Sequence, residues 1–339
     1  MRLCRSRPGG DGIRRVRRGR GFSYHLPDGS RPSAADLRRI DELAIPPAWR
    51  DVWICARPNG HIQAVGTDAA GRRQYLYHER WRRERDEEKH DRALALAQRL
   101  AGLRERVHAD LRLRGCPRRR VEAVALRIVD LGVFRIGGEE YAEENGTHGA
   151  ATLLRSQVRV RGDIVGFDFP AKGGARRRVD IPDHDLAVAV RVLLRARHDM
   201  PRLLVCRTGR QWHELHADDV NARFREIAGL DCSAKDIRTW HATALAAAAY
   251  AGRPVPQTQR RRRAVSAEVM AEVATALGNT PAVARASYVD PRIVAAYTAG
   301  ELAPGSRAAR ALARAAHQPT HDARSNAVDR AVRRLLRDA

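Results

Sequence analysis

Cysteine is scarce and scattered. The five cysteines, Cys4, Cys55, Cys116, Cys206 and Cys232, are never close in sequence and form no C-x-x-C pair. A disulfide framework and a zinc knuckle are therefore not expected, and a reducing cytoplasm fits. No run of about 18 apolar residues is present, so no transmembrane helix and no membrane partner are expected. Met1–Arg20 is rich in Arg and Gly and has no apolar core, unlike a secretory signal. There is no G-x-x-x-x-G-K-[ST] loop, so ATP use has no support. No clustered acidic motif suggests a two-metal phosphoryl-transfer site, so neither a metal nor a cofactor is expected. Lysine is nearly absent: Lys plus Arg total 63, yet only Lys89, Lys172 and Lys235 are lysines.

What is present is positive charge. The chain has 339 residues, a formal net charge of +23 and 43% hydrophobic residues. Its sequence pI is about 11.2. Such a balance points to a polyanionic partner, of which nucleic acid is the commonest. The length suggests about two domains. A GC-rich coding bias would push basic positions to Arg, so a surviving lysine is a candidate for a role that Arg cannot fill. Arg stays protonated, whereas Lys can give up a proton in a reaction. Lys89, inside the charged run Arg82–Arg92, reads as a surface residue.

Residues 1–20 read as a disordered basic arm. Residues 21–81 read as a small antiparallel β domain. Val52–Cys55, His61–Val65 and Gln74–Tyr77 are its strands, and Pro58-Asn59-Gly60 and Asp68–Gly71 are its turns. From Arg82 the pattern turns helical and stays mostly so to residue 300, with Arg82–Leu113 and Arg118–Gly132 as the first helices. Val158–Val160, Ile164–Phe169 and Arg177–Ile181 alternate like strands and predict a three-stranded meander, with Lys172 at a hairpin tip. Further helices are expected at Asp183–His198, Ala217–Ile227, Thr239–Ala251 and Ser266–Leu277, the last stopped by Gly278. Thr280-Pro281 and Asp290-Pro291 each read as a cap followed by a first-turn proline. Residues 301–339 read as a basic tail with helical stretches. The fold class is thus α+β: a small antiparallel β-rich N-terminal domain and a larger, mainly α-helical one.

Several segments carry candidate chemistry. Phe134-Arg135-Ile136-Gly137-Gly138 places an Arg before a glycine pair. Asp236-Ile237-Arg238-Thr239-Trp240 places another just before a helix. Leu277-Gly278-Asn279-Thr280-Pro281 offers an amide at a helix junction, and Ser287-Tyr288-Val289 a phenol shortly after. Taken singly each is weak, since an Arg in this chain is usually a surface residue and a Tyr near a helix end usually a packed ring. Without bound metal, cationic side chains would stabilise the charge of a phosphodiester transition state.

Order and spacing say more. The set resembles the poxvirus-like type IB DNA topoisomerases, in particular their bacterial branch. The resemblance runs from Ile45-Pro46-Pro47-Ala48-Trp49 through Gly71-Arg72-Arg73-Gln74-Tyr75-Leu76-Tyr77-His78 and Phe134-Arg135-Ile136-Gly137. It continues through Tyr141-Ala142-Glu143-Glu144-Asn145-Gly146-Thr147 and Lys235-Asp236-Ile237-Arg238-Thr239-Trp240, and closes with Gly278-Asn279-Thr280-Pro281 and Tyr288.

The resemblance implies the catalytic fold shared with tyrosine recombinases. It implies that Tyr288 is the nucleophile that becomes joined to a DNA 3′ end, and that Arg135 and Arg238 bind the non-bridging oxygens. Lys172 would be the general acid, and Asn279, where poxvirus members have His, would donate a hydrogen bond. Gln74, Tyr75, Tyr77, Tyr141 and Lys235 would contact DNA, with the N-terminal domain closing a clamp on the duplex. A tyrosine site-specific recombinase usually carries His three residues before the second Arg, where this chain has Lys235. A non-catalytic basic DNA-binding protein would need neither Lys172 nor Tyr288 at their spacing. The expectation is a monomeric, ATP-independent enzyme acting on double-stranded DNA in the cytoplasm, at the nucleoid.

Overall fold

A computed structural model describes residues 2–132, 134–137, 148–171 and 176–338. The chain divides into two compact units, Met1–Glu88 and Lys89–Ala339. The sequence reading drew this boundary between residues 81 and 82.

The first unit is a five-stranded antiparallel sheet, order β2-β1-β3-β4-β5. Its strands are β1 (Gly12–Arg18), β2 (Gly21–His25), β3 (Arg50–Cys55), β4 (Ile62–Thr67) and β5 (Arg73–Tyr77). Helix α1 (Ala34–Glu42) starts at Ser33, whose hydroxyl accepts from the Asp36 amide. One face of the sheet buries Ile13, Ile54 and Ala64 with Ile40 of α1.

The basic arm expected at residues 1–20 is largely built into this sheet. β1 pairs with β2 on one side and β3 on the other. Upstream of it, Ser6 accepts from the Ile62 amide. The alternation of β1 is hidden in the sequence because Val16 faces outward between two arginines and because inward Arg15 is itself structural. The Arg15 guanidinium donates to the carbonyls of Ile45, Pro46 and Trp49 and lies 4.2 Å from the Phe22 ring centroid.

The second unit is mainly helical. The charged segment expected as one helix is two, α2 (Glu79–Ala97) and α3 (Leu100–Leu111), with the unit boundary falling inside α2. Helix α4 (Arg118–Asp130) is its axis: every residue from Arg120 to Asp130 is buried. The expected meander is present as β6 (Val158–Arg161), β7 (Ile164–Pro170) and β8 (Arg176–Pro182), in that order. Helix α5 (His184–Arg195) follows the meander, and a hairpin not foreseen, β9 (Val205–Thr208) and β10 (Gln211–Glu214), comes next. The later helices begin with α6 (Ala217–Ala228) and α7 (Ala234–Tyr250). They continue with α8 (Gln259–Leu277), α9 (Pro281–Ser287) and α10 (Pro291–Thr298). Among the described residues no helix is long and apolar enough to cross a membrane.

The segment after residue 300 is no loose tail. It forms α11 (Arg307–Ala316) and α12 (His321–Asp338), and Leu312, Val332, Leu335 and Leu336 join the main core. The apolar stripe of α12 is diluted by arginines, which is why composition alone made it look solvated. Its docking is electrostatic as well. Asp329 accepts from Arg104 at 2.7 Å and from the Trp240 indole at 2.7 Å, all three nearly fully buried. Arg104 also pairs with Asp130 at 2.9 Å. Truncating one partner of such a buried pair leaves an uncompensated charge, costing about 3–5 kcal/mol. Asp329→Ala should therefore lower unfolding stability by that order in a denaturant titration. An unchanged midpoint would show that α12 is not part of the folded core.

His108 makes this docking pH-dependent. Its ring bridges Asp185 (2.8 Å) and Asp322 at the start of α12 (2.6 Å). The hydrogen bond with Asp322 raises the His108 pKa above its ordinary value. A raised histidine pKa adds stability that is complete below the unfolded value, about 6.5, and is lost as pH rises through the folded value. The wild type should therefore lose stability as pH rises above about 6.5. In His108→Asn that fall should flatten, and an unaltered pH profile in the variant would exclude this bridge as its source.

Candidate active site

The site is organised by the C-terminal end of α8. Gly278 ends the helix in the left-handed conformation, φ 62°, and the Asn279 amide turns back to the Ala274 carbonyl at 2.8 Å. This closure leaves the Ala276 and Leu277 carbonyls open, at the negative end of the helix dipole. Three arginines from elsewhere in the chain meet this turn. Arg177 of β8 donates to the Ala276 carbonyl at 2.9 Å. Arg238 of α7 donates to the Leu277 carbonyl. Arg135 donates to Asn279 Oδ1 at 2.5 Å.

Each arginine is held by its own local structure. Arg135 follows Phe134, whose ring packs on Phe167 and Phe169 of β7. Its carbonyl accepts from the Ala150 amide at 2.8 Å. Gly137, at φ 83°, lies against Gly149 so closely that a Cβ at 137 would come within 2.8 Å of the Gly149 Cα. Arg238 lies inside α7, not before it. The expected start at Thr239 is one turn late, because Ser233 and Asp236 form a capping pair, with the Ser233 amide donating to Asp236 at 2.8 Å. Likewise the basic run Arg260–Arg263 belongs to the first turns of α8, capped by Thr258.

Tyr288 sits where α9 ends. Thr280 and Pro281 start that helix as expected, the Thr280 hydroxyl accepting from the Val283 amide. Beyond it, Thr243 of α7 pins the backbone on both sides of buried Val289. The Thr243 hydroxyl accepts from the Asp290 amide at 3.1 Å and shares its own proton between the Thr239 carbonyl at 3.0 Å and the Tyr288 carbonyl at 3.4 Å. The Arg238 guanidinium carbon lies 5.6 Å from the Tyr288 ring centroid.

The electrostatics are unbalanced. Elsewhere in this unit three buried arginines face carboxylates: Arg104 pairs with Asp130 and Asp329, Arg127 with Asp183 and Asp322, Arg223 with Asp110. A fourth, Arg120, stands alone and donates to the Gly115 carbonyl. Among the described residues, Arg135, Arg177 and Arg238 likewise pair with no carboxylate. Arg238 is buried at 6% exposure, and its Nε and Nη1 have no acceptor; neither has Nδ2 of Asn279. Leaving a buried donor unsatisfied costs about 1–3 kcal/mol. Burial, followed by repulsion from Arg135, lowers the Arg238 pKa to about 10, with Tyr288 opposing the shift. An anion seated beside Tyr288 would satisfy these donors and this charge.

Of the expected site residues, Arg135, Arg238, Asn279 and Tyr288 converge here. Lys172 and Tyr141 lie outside the described residues; β7 and β8 are in register up to Pro170 and Arg176 on either side of the Lys172 connection. Lys235 is exposed on the first turn of α7, its side chain without a hydrogen bond or ion pair among the described residues. Arg177 was not foreseen, since nothing distinguishes it within Arg176-Arg177-Arg178. The signal was available in the strand pattern, which places it inward with Val179 and Ile181. In the first unit, Tyr75 and Tyr77 are exposed on one face of β5 with their rings 6.1 Å apart. Gln74 points to the other face, its amide donating to Asp68 at 2.9 Å. Strand alternation separates it from the tyrosines it was grouped with.

Comparison with known families fits this arrangement. A family model described as "Bacterial DNA topoisomerase IB, N-terminal domain" matches residues 21–68. One described as "Eukaryotic DNA topoisomerase I, catalytic core" matches residues 78–298. The chain belongs to the type IB DNA topoisomerases. The DNA topoisomerase 1B of Acanthamoeba polyphaga mimivirus is 28% identical over 287 residues, covering 82% of this chain and 85% of that protein. The catalytic-core match of this topoisomerase stops at residue 298, so α11 and α12 lie outside it.

Proposed function

We propose that this topoisomerase relaxes supercoiled double-stranded DNA by cutting and resealing one strand through Tyr288, without ATP or an essential metal. The Tyr288 phenolic oxygen attacks the phosphorus, the bond to the 5′ oxygen breaks, and a 3′-phosphotyrosyl ester forms. Arg135 and Arg238 donate to the non-bridging oxygens, where negative charge grows in the transition state. Asn279 adds its amide N–H: because Oδ1 accepts from Arg135, Nδ2 is left as the donor. Lys172 delivers a proton to the leaving 5′ oxygen, which Arg could not do. Religation is the reverse, driven by the retained ester, and so needs no nucleotide.

The observation that carries this reading is the group of buried donors beside Tyr288 with neither carboxylate nor hydrogen-bond acceptor. Arg104, Arg127 and Arg223, which brace the core, are paired with carboxylates instead. The exposed Tyr75–Tyr77 pair, with Arg73 5.8 Å from the Tyr75 ring, suits contact with phosphates and bases. The enzyme acts as a monomer in the cytoplasm, at the nucleoid.

Supercoiled plasmid incubated in EDTA without ATP should be relaxed by the wild type and not by Tyr288→Phe. Removal of either Arg135 or Arg238 should slow relaxation by roughly 100- to 1000-fold. Relaxation by Tyr288→Phe at the wild-type rate would remove Tyr288 from the nucleophile role.

A further inference from the structure

β8 breaks its own pattern at one position. Arg176 and Arg178 point outward, and both pair with Asp168, at 2.6 and 3.2 Å. Arg177 points the other way, in line with Val179 and Ile181. Across the ladder these inward residues face Phe169, Phe167 and Val165, none more than 3% exposed. A charged residue at an inward strand position conflicts with binary patterning, and such conflicts cluster at functional sites.

The surroundings show what the side chain is used for. Its Nη2 caps the Ala276 carbonyl. Its Nε and Nη1 have no hydrogen-bond partner and no carboxylate among the described residues. Nη1 lies over Gly278, where a Cβ would come within 2.4 Å of it. Glycine at 278 thus serves two ends: it ends α8 with positive φ, and it leaves room for the guanidinium. Arg135 and Arg238 bond Asn279 and Leu277 of the same turn. If capping one carbonyl were the whole purpose, a neutral donor would do it without burying a charge beside two others.

We infer that Arg177 is a third phosphate-binding guanidinium of the cleavage site, donating through its Nε–Nη1 edge to a phosphodiester of the strand being cut. The inference rests on the DNA-cleaving reading given above. Burial, followed by repulsion from Arg135, lowers the Arg177 pKa. A bound phosphodiester would offset that repulsion.

The test compares full-length wild type, Arg177→Gln and Arg177→Lys on a short DNA duplex. Gln keeps a neutral donor for the helix end and loses the charge; Lys keeps the charge and loses the fork. In Arg177→Gln, single-turnover cleavage should slow roughly 100-fold. The slope of log affinity against log salt should fall by about one, as for the loss of one phosphate contact. Arg177→Lys should keep the wild-type slope. Wild-type cleavage and slope in Arg177→Gln would overturn the inference. So would a loss of cleavage in both variants with matching loss of thermal stability and unchanged slopes, which would make Arg177 only a brace for α8. Should the wild type bind duplex yet form no covalent adduct, the cleavage reading fails. The slopes still judge the phosphate contact: equal slopes overturn it, a lower slope in Arg177→Gln supports it.

Discussion

The contact on which the site depends is that between three guanidinium groups and the carbonyl end of one helix. Like charges drawn together and partly desolvated repel each other strongly. No carboxylate among the described residues offsets them here; on the proposed reading, one would compete with the phosphate. The C-terminal turn of α8 offers a weaker compensation: two open carbonyls and an amide oxygen, each taken by a different arginine. This partial charge suffices to orient the side chains and leaves donors free for an anion. It also fixes what must be near what, since β8, α7 and the Phe134–Gly137 segment each have to present one arginine to the same turn.

The rest of the second unit serves that requirement. Thr243 of α7 holds the backbone around Val289, so the helix that carries Arg238 also places Tyr288. Two residues on from Arg238, Trp240 is locked by Asp329 of α12. Helices beyond the family match thereby brace α7. The arginines of that brace, Arg104 and Arg127, are saturated with carboxylates, in contrast to the three at the end of α8.

Much of the fold was legible in the sequence wherever apolar residues kept their period and turn chemistry was explicit. β3, β4 and β5, the meander, and the Thr280-Pro281 and Asp290-Pro291 helix starts are examples. Illegible stretches share a cause: arginine at positions where the period needs an apolar or a neutral residue. β1 was hidden by Arg14, Arg15, Arg17 and Arg18, and α12 by its arginines. The inward role of Arg177 was lost inside a triplet of identical residues. For the candidate site, spacing and family resemblance picked out Arg135, Arg238, Asn279 and Tyr288. That these share one helix end is a property of packing, and no single-chain pattern carried it. Gln74 shows the converse, grouped with its neighbours in sequence and separated from them by the pleat.

The account is tested most directly by the identity of the covalent bond. A duplex nicked so that the 5′ fragment beyond the cut can diffuse away would trap the cleaved state, which can then be digested and the DNA-linked peptide mapped by mass spectrometry. The account predicts a 3′-phosphoryl group on Tyr288. Attachment at any other residue, or through a 5′ end, would contradict it.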